Sequence, residues 1–294
     1  MEAVTRLAPA KINLALDILG ERADGYHEMR MVMQTVSLCD TVTLREAGEG
    51  FSLDIDGNFF VPAGRKTLEQ RAAEAFFQEL GRPCPPLCVT LKKRTPAYAG
   101  LGGGSADVAA LLRLLRERYD PSLPTAVLER VGLTVGSDMP FCVRGGTALA
   151  EGRGEVLTDL APLPACSIVL CKPGFDLPTA ELFARCCGTR FRHRPDFGGM
   201  VAALAAGSLE GTAERLCNVF EEVLPPEVER EVREIKAEML RRGALNAAMS
   251  GSGPAVFGIF REKEAAAAAV AALKTRYVQT FLTSPVERLD GPVV

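Results

Sequence analysis

The chain has 294 residues, 47% of them hydrophobic and 24% charged, with a formal net charge of −3. That length suits two domains and a substantial core, and the composition is that of an ordinary globular protein. With no long basic tract, a general nucleic-acid or membrane-surface partner is disfavoured, so any anionic ligand must be held by local cations and backbone amides.

The first residues, Met1 to Lys11, are polar and mixed, with no apolar signal core, and no run of about 18 apolar residues occurs later. A cytoplasmic protein is expected. Leu7 to Leu19 reads as a strand interrupted by Pro9, Lys11 and Asn13, and Asp24-Gly25 marks a turn. Met29 to Leu38, Thr41 to Arg45 and Phe51 to Ile55 read as further strands. Leu68 to Leu80 is a helix stopped by Gly81 and Pro83, and Val89 to Lys93 a short strand. After the glycine-rich stretch Ala99 to Gly104, Ser105 offers an N-cap and Asp107 a first-turn acid. Val108, Leu111, Leu112 and Leu115 line one face of the helix that follows, which should stop near Asp120-Pro121. Thr125 to Val131 is a second, shorter helix.

Ala161-Pro162-Leu163-Pro164 is the expected domain boundary, dividing the chain into 1–160 and 161–294. Beyond it, Ser167 to Cys171 is a strand, and Glu227 to Arg242 a helix with Val228, Val232, Ile235 and Met239 on one side. Ala248 to Gly253 and Val256 to Phe260 form a strand, a glycine turn and a strand, and Glu262 to Lys274 is a helix. The class is α/β or α+β. The nine cysteines are odd in number and fit no zinc spacing, which points to free thiols in a reducing compartment. Spacing assigns no metal ligand.

The most informative segment is Pro96-Ala97-Tyr98-Ala99-Gly100-Leu101-Gly102-Gly103-Gly104-Ser105-Ala106. Glycines between a strand and a helix let the backbone approach a ligand, and the helix offers free N–H groups and a positive dipole end, the makings of a phosphate site. A tight structural turn is the competing reading, against which stand Lys92, Lys93 and Arg94 beside the loop. The P-loop pattern is absent, and Ser105 stands where a dinucleotide-binding loop needs its third glycine.

Three separated segments resemble the motifs of the GHMP kinase family: Pro9-Ala10-Lys11-Ile12-Asn13-Leu14, Pro96 to Ala106, and Met249-Ser250-Gly251-Ser252-Gly253-Pro254. They occur in the family's order. Ala23-Asp24-Gly25-Tyr26-His27, Gly136 to Phe141 and Gly145 to Glu155 are similar to the family member whose substrate carries a cytidine diphosphate group. The resemblance implies the α+β class and a two-domain GHMP kinase fold with the active site in the cleft between domains. It also implies ATP as co-substrate with Mg2+, and a small-molecule acceptor bearing cytidine diphosphate.

The same resemblance implies roles for residues whose own context leaves alternatives open. Asp138 is the expected general base, otherwise a turn aspartate, and Lys11 its electrostatic partner, otherwise an edge-strand lysine. Asn13, Tyr26, His27 and Met33 are expected at the acceptor, and Lys93 with Pro96, Ala97, Tyr98, Ala99, Gly100, Leu101, Gly102, Gly103, Gly104, Ser105 and Ala106 at ATP. Ala106 stands where a second serine is common, Thr67 where asparagine is common near adenine, Met33 where phenylalanine is frequent near cytosine, and Val219 where Asp is common. A different acceptor (homoserine, mevalonate or a sugar) and a non-catalytic sensor remain the alternatives.

Overall fold

The structure, a computed structural model, describes residues 2–46, 48–56 and 66–289. Two long strands open it: β1, Val4–Glu21, and β2, His27–Glu46, joined by a turn in which Gly25 has φ +81° and Asp24 Oδ1 accepts from the Tyr26 amide. After β3, Phe51–Asp56, helix α1, Leu68–Glu79, crosses to β4, Leu87–Lys92, which lies parallel to β3. Helices α2, Gly103–Tyr119, α3, Thr125–Leu133, and α4, Met139–Arg144, precede the hairpin of β5, Thr147–Gly152, and β6, Val156–Asp159.

In the rest of the chain, β7, Ser167–Cys171, is followed by α5, Thr179–Cys186, α6, Phe197–Ala205, and α7, Leu209–Glu214. The short strand β8, Cys217–Asn218, runs into a 3₁₀ turn at Val219–Val223. Then come α8, Pro226–Arg241, β9, Asn246–Met249, β10, Val256–Phe260, α9, Lys263–Lys274, and β11, Thr280–Thr283.

These strands build two sheets. The first has the order β3-β4-β2-β1-β8, with the β5–β6 hairpin pairing the N-terminal half of β2 while β4 pairs its C-terminal half. The second is antiparallel, in the order β11-β7-β10-β9. The halves are interleaved: β8 joins the first sheet parallel to β1, and the segment after β11 bridges back at Val36–Pro285 and Gly145–Arg288.

Two expectations need correction here. The strands expected at Met29–Leu38 and Thr41–Arg45 are one strand. Asp40 does not break it, because its buried carboxylate accepts from the amides of Arg94 and Thr95 at 2.5 and 2.7 Å and is paired with Lys93. Helix α2 is buried along all of Ala106–Leu115, not on one face, because α1, α3 and α4 cover the side turned away from the sheet. Even Arg113 is enclosed there, its guanidinium donating to the carbonyls of Cys142 and Val143. By contrast α8 buries the expected Val228, Val232, Ile235 and Met239.

Among the described residues no helix is long and apolar enough to cross a membrane. All nine cysteines are free thiols.

Candidate active site

The register of β1 against β2 shifts on both sides of Lys11–Asn13, between Pro9 and Lys11 and between Asn13 and Ala15. Such irregularities re-aim side chains, and here they flank a lysine and an asparagine on one face of a buried strand. The Lys11 amide donates to Leu101 O at 2.9 Å, which lays the glycine loop along β1. Lys11 Nζ donates to Asn13 Oδ1 at 2.8 Å and lies 3.4 Å from Asp138 Oδ2. The lysine side chain is 5% exposed and the aspartate side chain 33%, so the cation is held from below and the carboxylate is open to a ligand. Asp138 sits at the N-cap position of α4 but makes no capping bond, which leaves its oxygens free of that task.

The glycines of the loop are required by contact as well as conformation. Gly102 has φ +66°, and a Cβ there would lie 2.9 Å from Lys11 Cγ. Gly100 has φ +73°, and its Cβ would meet Ser250 O at 2.0 Å. Left-handed backbone at a non-glycine residue costs on the order of 1 kcal/mol or more before any clash. The 249–254 turn docks on this loop: Ser250 Oγ donates to Gly100 O at 2.9 Å, and the Ala255 amide donates to Ala99 O. Asn218 Nδ2 holds that turn from behind, donating to the carbonyls of Met249 and Gly251, each at 2.8 Å. Val219, beside it, is buried.

Helix α2 begins earlier than expected. Gly102, not Ser105, occupies the N-cap position, and no acid stands in the first turn. The left-handed Gly102 starts the helix directly from the loop, so Ser105 is released from capping. The positive end of a 17-residue helix is therefore left without a side-chain cap, facing the loop. Asp107 turns inward instead, where it and Asp40 both ion-pair with Lys93.

Burial pushes the Asp107 carboxyl up to about 8, against the pull of the Lys93 ammonium. Burial draws Lys93 down in turn, but the charges of Asp107 and Asp40 outweigh it and leave its pKa raised. This cluster ties both ends of the loop to β2.

A cavity of about 820 Å³ collects these groups. Lys11, Asp138, Tyr26, His27, Tyr98, Gly100, Gly102 and Ser105 line it, as do Gly251 and Ser252 of the docked turn. Ala99, Leu101 and Ala106 are buried, so that stretch offers backbone and not side chain. Asn13 is also buried and reaches the cavity through Lys11. Lys93, Met33, Pro96, Ala97, Gly103 and Gly104 are not among the lining residues. Met33 is fully buried in the core, and Met29 and Met31, on the same face of β2, line the cavity in its place. Thr67 caps α1 by accepting from the Gln70 amide.

Two functional candidates escaped the sequence reading. Phe183, on α5, stacks on His27 with ring centroids 4.6 Å apart and is itself backed edge-on by Phe220. Arg153 lies over the Tyr26 ring, its guanidinium carbon 4.3 Å from the centroid. Only an amphipathic pattern over Thr179–Cys186 signals α5 in the sequence, and nothing there says that it meets β2. The basic run 190–194 is a largely exposed loop, anchored where Arg194 pairs with the buried Asp17 at 2.7 Å and the amides of Arg192 and His193 donate to Glu222.

Comparisons with known proteins accord with this geometry. The model for the GHMP kinases N-terminal domain matches residues 67–146, and that for the GHMP kinases C-terminal domain matches residues 200–279. A 4-diphosphocytidyl-2-C-methyl-D-erythritol kinase of Syntrophomonas wolfei is 39% identical over 94% of this chain and 96% of its own. The like-named kinase of Acetivibrio thermocellus is 37% identical over 97% of this chain and 100% of its own. A crystal structure of a 4-(cytidine 5'-diphospho)-2C-methyl-D-erythritol kinase superposes with TM-score 0.79 at 32% identity, covering 96% of this chain and 99% of the other. A homoserine kinase from Cytophaga hutchinsonii, at 19% identity and TM-score 0.72, shares the fold, covering 100% of this chain and 97% of its own.

The raised Asp107 pKa has a consequence for stability. Over the range between an ordinary carboxyl and about 8, the folded chain binds a proton that the unfolded chain releases. The stability this group contributes is complete at low pH and is lost as pH rises through that range. Asp107→Asn, similar in shape but not titratable, should flatten the stability curve between about pH 5 and pH 8. Thermal unfolding at several pH values checks this, and parallel curves for the two proteins would contradict it.

Proposed function

The chain belongs to the GHMP kinase family, and we propose that it moves the γ-phosphoryl group of ATP to the 2-hydroxyl of 4-diphosphocytidyl-2-C-methyl-D-erythritol. The products are the 2-phosphate and ADP, within non-mevalonate isoprenoid precursor biosynthesis. The observation that carries this reading is a single cavity holding both a phosphate-binding loop with a Lys–Asp pair and an aromatic wall of Tyr26, His27 and Phe183. Relatives named for this reaction, matched over nearly their whole length, support it.

Phosphoryl transfer asks the protein mainly for positioning and for charge stabilisation. Asp138 accepts the proton of the acceptor hydroxyl. Lys11, beside it, keeps the carboxylate company in charge and meets the transferring phosphoryl group. Asn13 fixes the direction of the lysine through its Oδ1, while its own amide donates to Met31 Sδ at 3.4 Å, so it acts on the acceptor through Lys11. The β- and γ-phosphates rest on amides of the loop and the first turn of α2. Lys93 supports ATP binding from behind the loop by holding Asp40 to Asp107. A magnesium ion accompanying ATP would take oxygen ligands and help neutralise the phosphates. The Ser105 hydroxyl suits such a shell, and Ala106 offers no second.

Tyr26 and Phe183 supply faces for a pyrimidine, and His27 Nε2 is buried without a hydrogen-bond partner, a group that a base edge can satisfy. Arg153 adds a cation for the diphosphate. Met33 acts from the core behind Met31, shaping the wall by packing. Residues 1–160 and 161–294 are the two halves around this cleft: Lys11, Tyr26 and Asp138 come from the first, Phe183 and Gly251 from the second. A soluble, cytoplasmic metabolic enzyme fits this substrate.

Asp138→Asn should lower kcat by about 10²–10⁴-fold while ATP still binds; steady-state turnover with a parallel nucleotide titration measures both, and near-normal kcat would remove Asp138 from the role of base. Tyr26→Ala should raise KM for the cytidine acceptor and spare KM for ATP. An equal change in both would place Tyr26 outside acceptor recognition.

A further inference from the structure

Around the aromatic wall lies a group of side chains of which the proposed reaction uses only His27. Glu21 ends β1, His27 begins β2 directly opposite it in the antiparallel register, and Cys187 follows the last residue of α5. Among the described residues, one ligand atom from each of the three lies within 4.8 Å of the other two. Cys187 Sγ donates to Glu21 Oε1 at 2.6 Å, and His27 keeps an unpartnered ring nitrogen. Phe183, stacked on the imidazole, fixes its plane.

We propose that Glu21, His27 and Cys187 form a binding site for a zinc-class divalent cation. The donor set selects that class. Thiolate and imidazole suit zinc, whereas magnesium takes oxygen alone. Three protein ligands with a water in the fourth position give the open tetrahedral form. In such a site, with bonds of about 2.0–2.3 Å, ligand atoms stand roughly 3.3–3.7 Å apart. Closing the trio onto a metal therefore asks for shifts of order 1 Å, at exposed Glu21 and Cys187 side chains that have room to move.

The charges also close. On binding, the Cys187 thiol gives its proton to solvent, and the thiolate with the Glu21 carboxylate neutralises the dication. The C-terminal end of α5 adds a partial negative charge at the same place. Cysteine spacing could not reveal this site, because its ligands come from three separate elements.

A metal on His27 sits on the imidazole assigned above to base recognition, so zinc and the cytidine acceptor exclude one another. This second statement rests on the proposed function; metal binding itself does not. The test uses the full chain freed of metal with a chelator, kept reduced without added thiols, and titrated with zinc alone against a chromophoric competitor. One zinc per chain is expected. Cys187→Ser and Glu21→Gln should each weaken it more than tenfold while their circular dichroism stays native, and excess magnesium should not displace it. An affinity unchanged in both variants, or no zinc bound, would overturn the site. In turnover assays zinc should raise KM for the cytidine acceptor and not for ATP; equal KM values with and without saturating zinc would overturn the exclusion.

Discussion

The close approach of the glycine loop to the Lys11 side chain governs the rest of the site. With a Cβ at Gly102 the lysine stem would have to move, and with it the ammonium that meets Asn13 and Asp138. The backbone bond from Lys11 to Leu101 sets this approach at one point, and the Ser250 turn sets it again at Gly100. Three stretches far apart in the chain are thus brought together by backbone contacts that only glycine permits, and the cation is aimed by the loop that lies over it.

Charge is arranged on the same principle of local supply. The chain as a whole is slightly acidic, so no broad field draws an anion in. The loop instead meets the uncapped end of α2, while Lys11 is paired with a carboxylate that remains open to ligand. Behind the loop, Lys93 is enclosed by Asp40 and Asp107, and its charge serves to hold strand and helix together. A lysine so enclosed differs from one that reaches a phosphate directly, although the two look alike in sequence.

Much of the site was legible in the sequence, because glycine-rich loops and isolated polar residues in apolar strands leave local marks. Lys11, Asp138, Tyr26 and His27 do meet Tyr98, Gly100, Gly102 and Ser105 of the loop around one cavity. What was missed depends on contacts between distant residues. Asp40 reads as a strand break until its partners from 93–95 are seen. Ser105 reads as an N-cap because nothing local shows that a left-handed Gly102 can start the helix first. Phe183 lies on a short helix whose meeting with His27 no pattern announces, and Met33 differs from Met31 only in what packs against it. The β5–β6 hairpin and β11 were likewise invisible, since their pairing partners β2 and β7 lie far off in the chain.

The central claim is that loop, Lys–Asp pair and aromatic wall serve one reaction on one kind of acceptor. The most direct measurement is ADP release from ATP and magnesium with each of four acceptors: 4-diphosphocytidyl-2-C-methyl-D-erythritol, homoserine, mevalonate and galactose. Turnover with the cytidine compound alone is the expected result. Turnover with another acceptor in its place, or none with any while the folded chain binds ATP, would contradict the account.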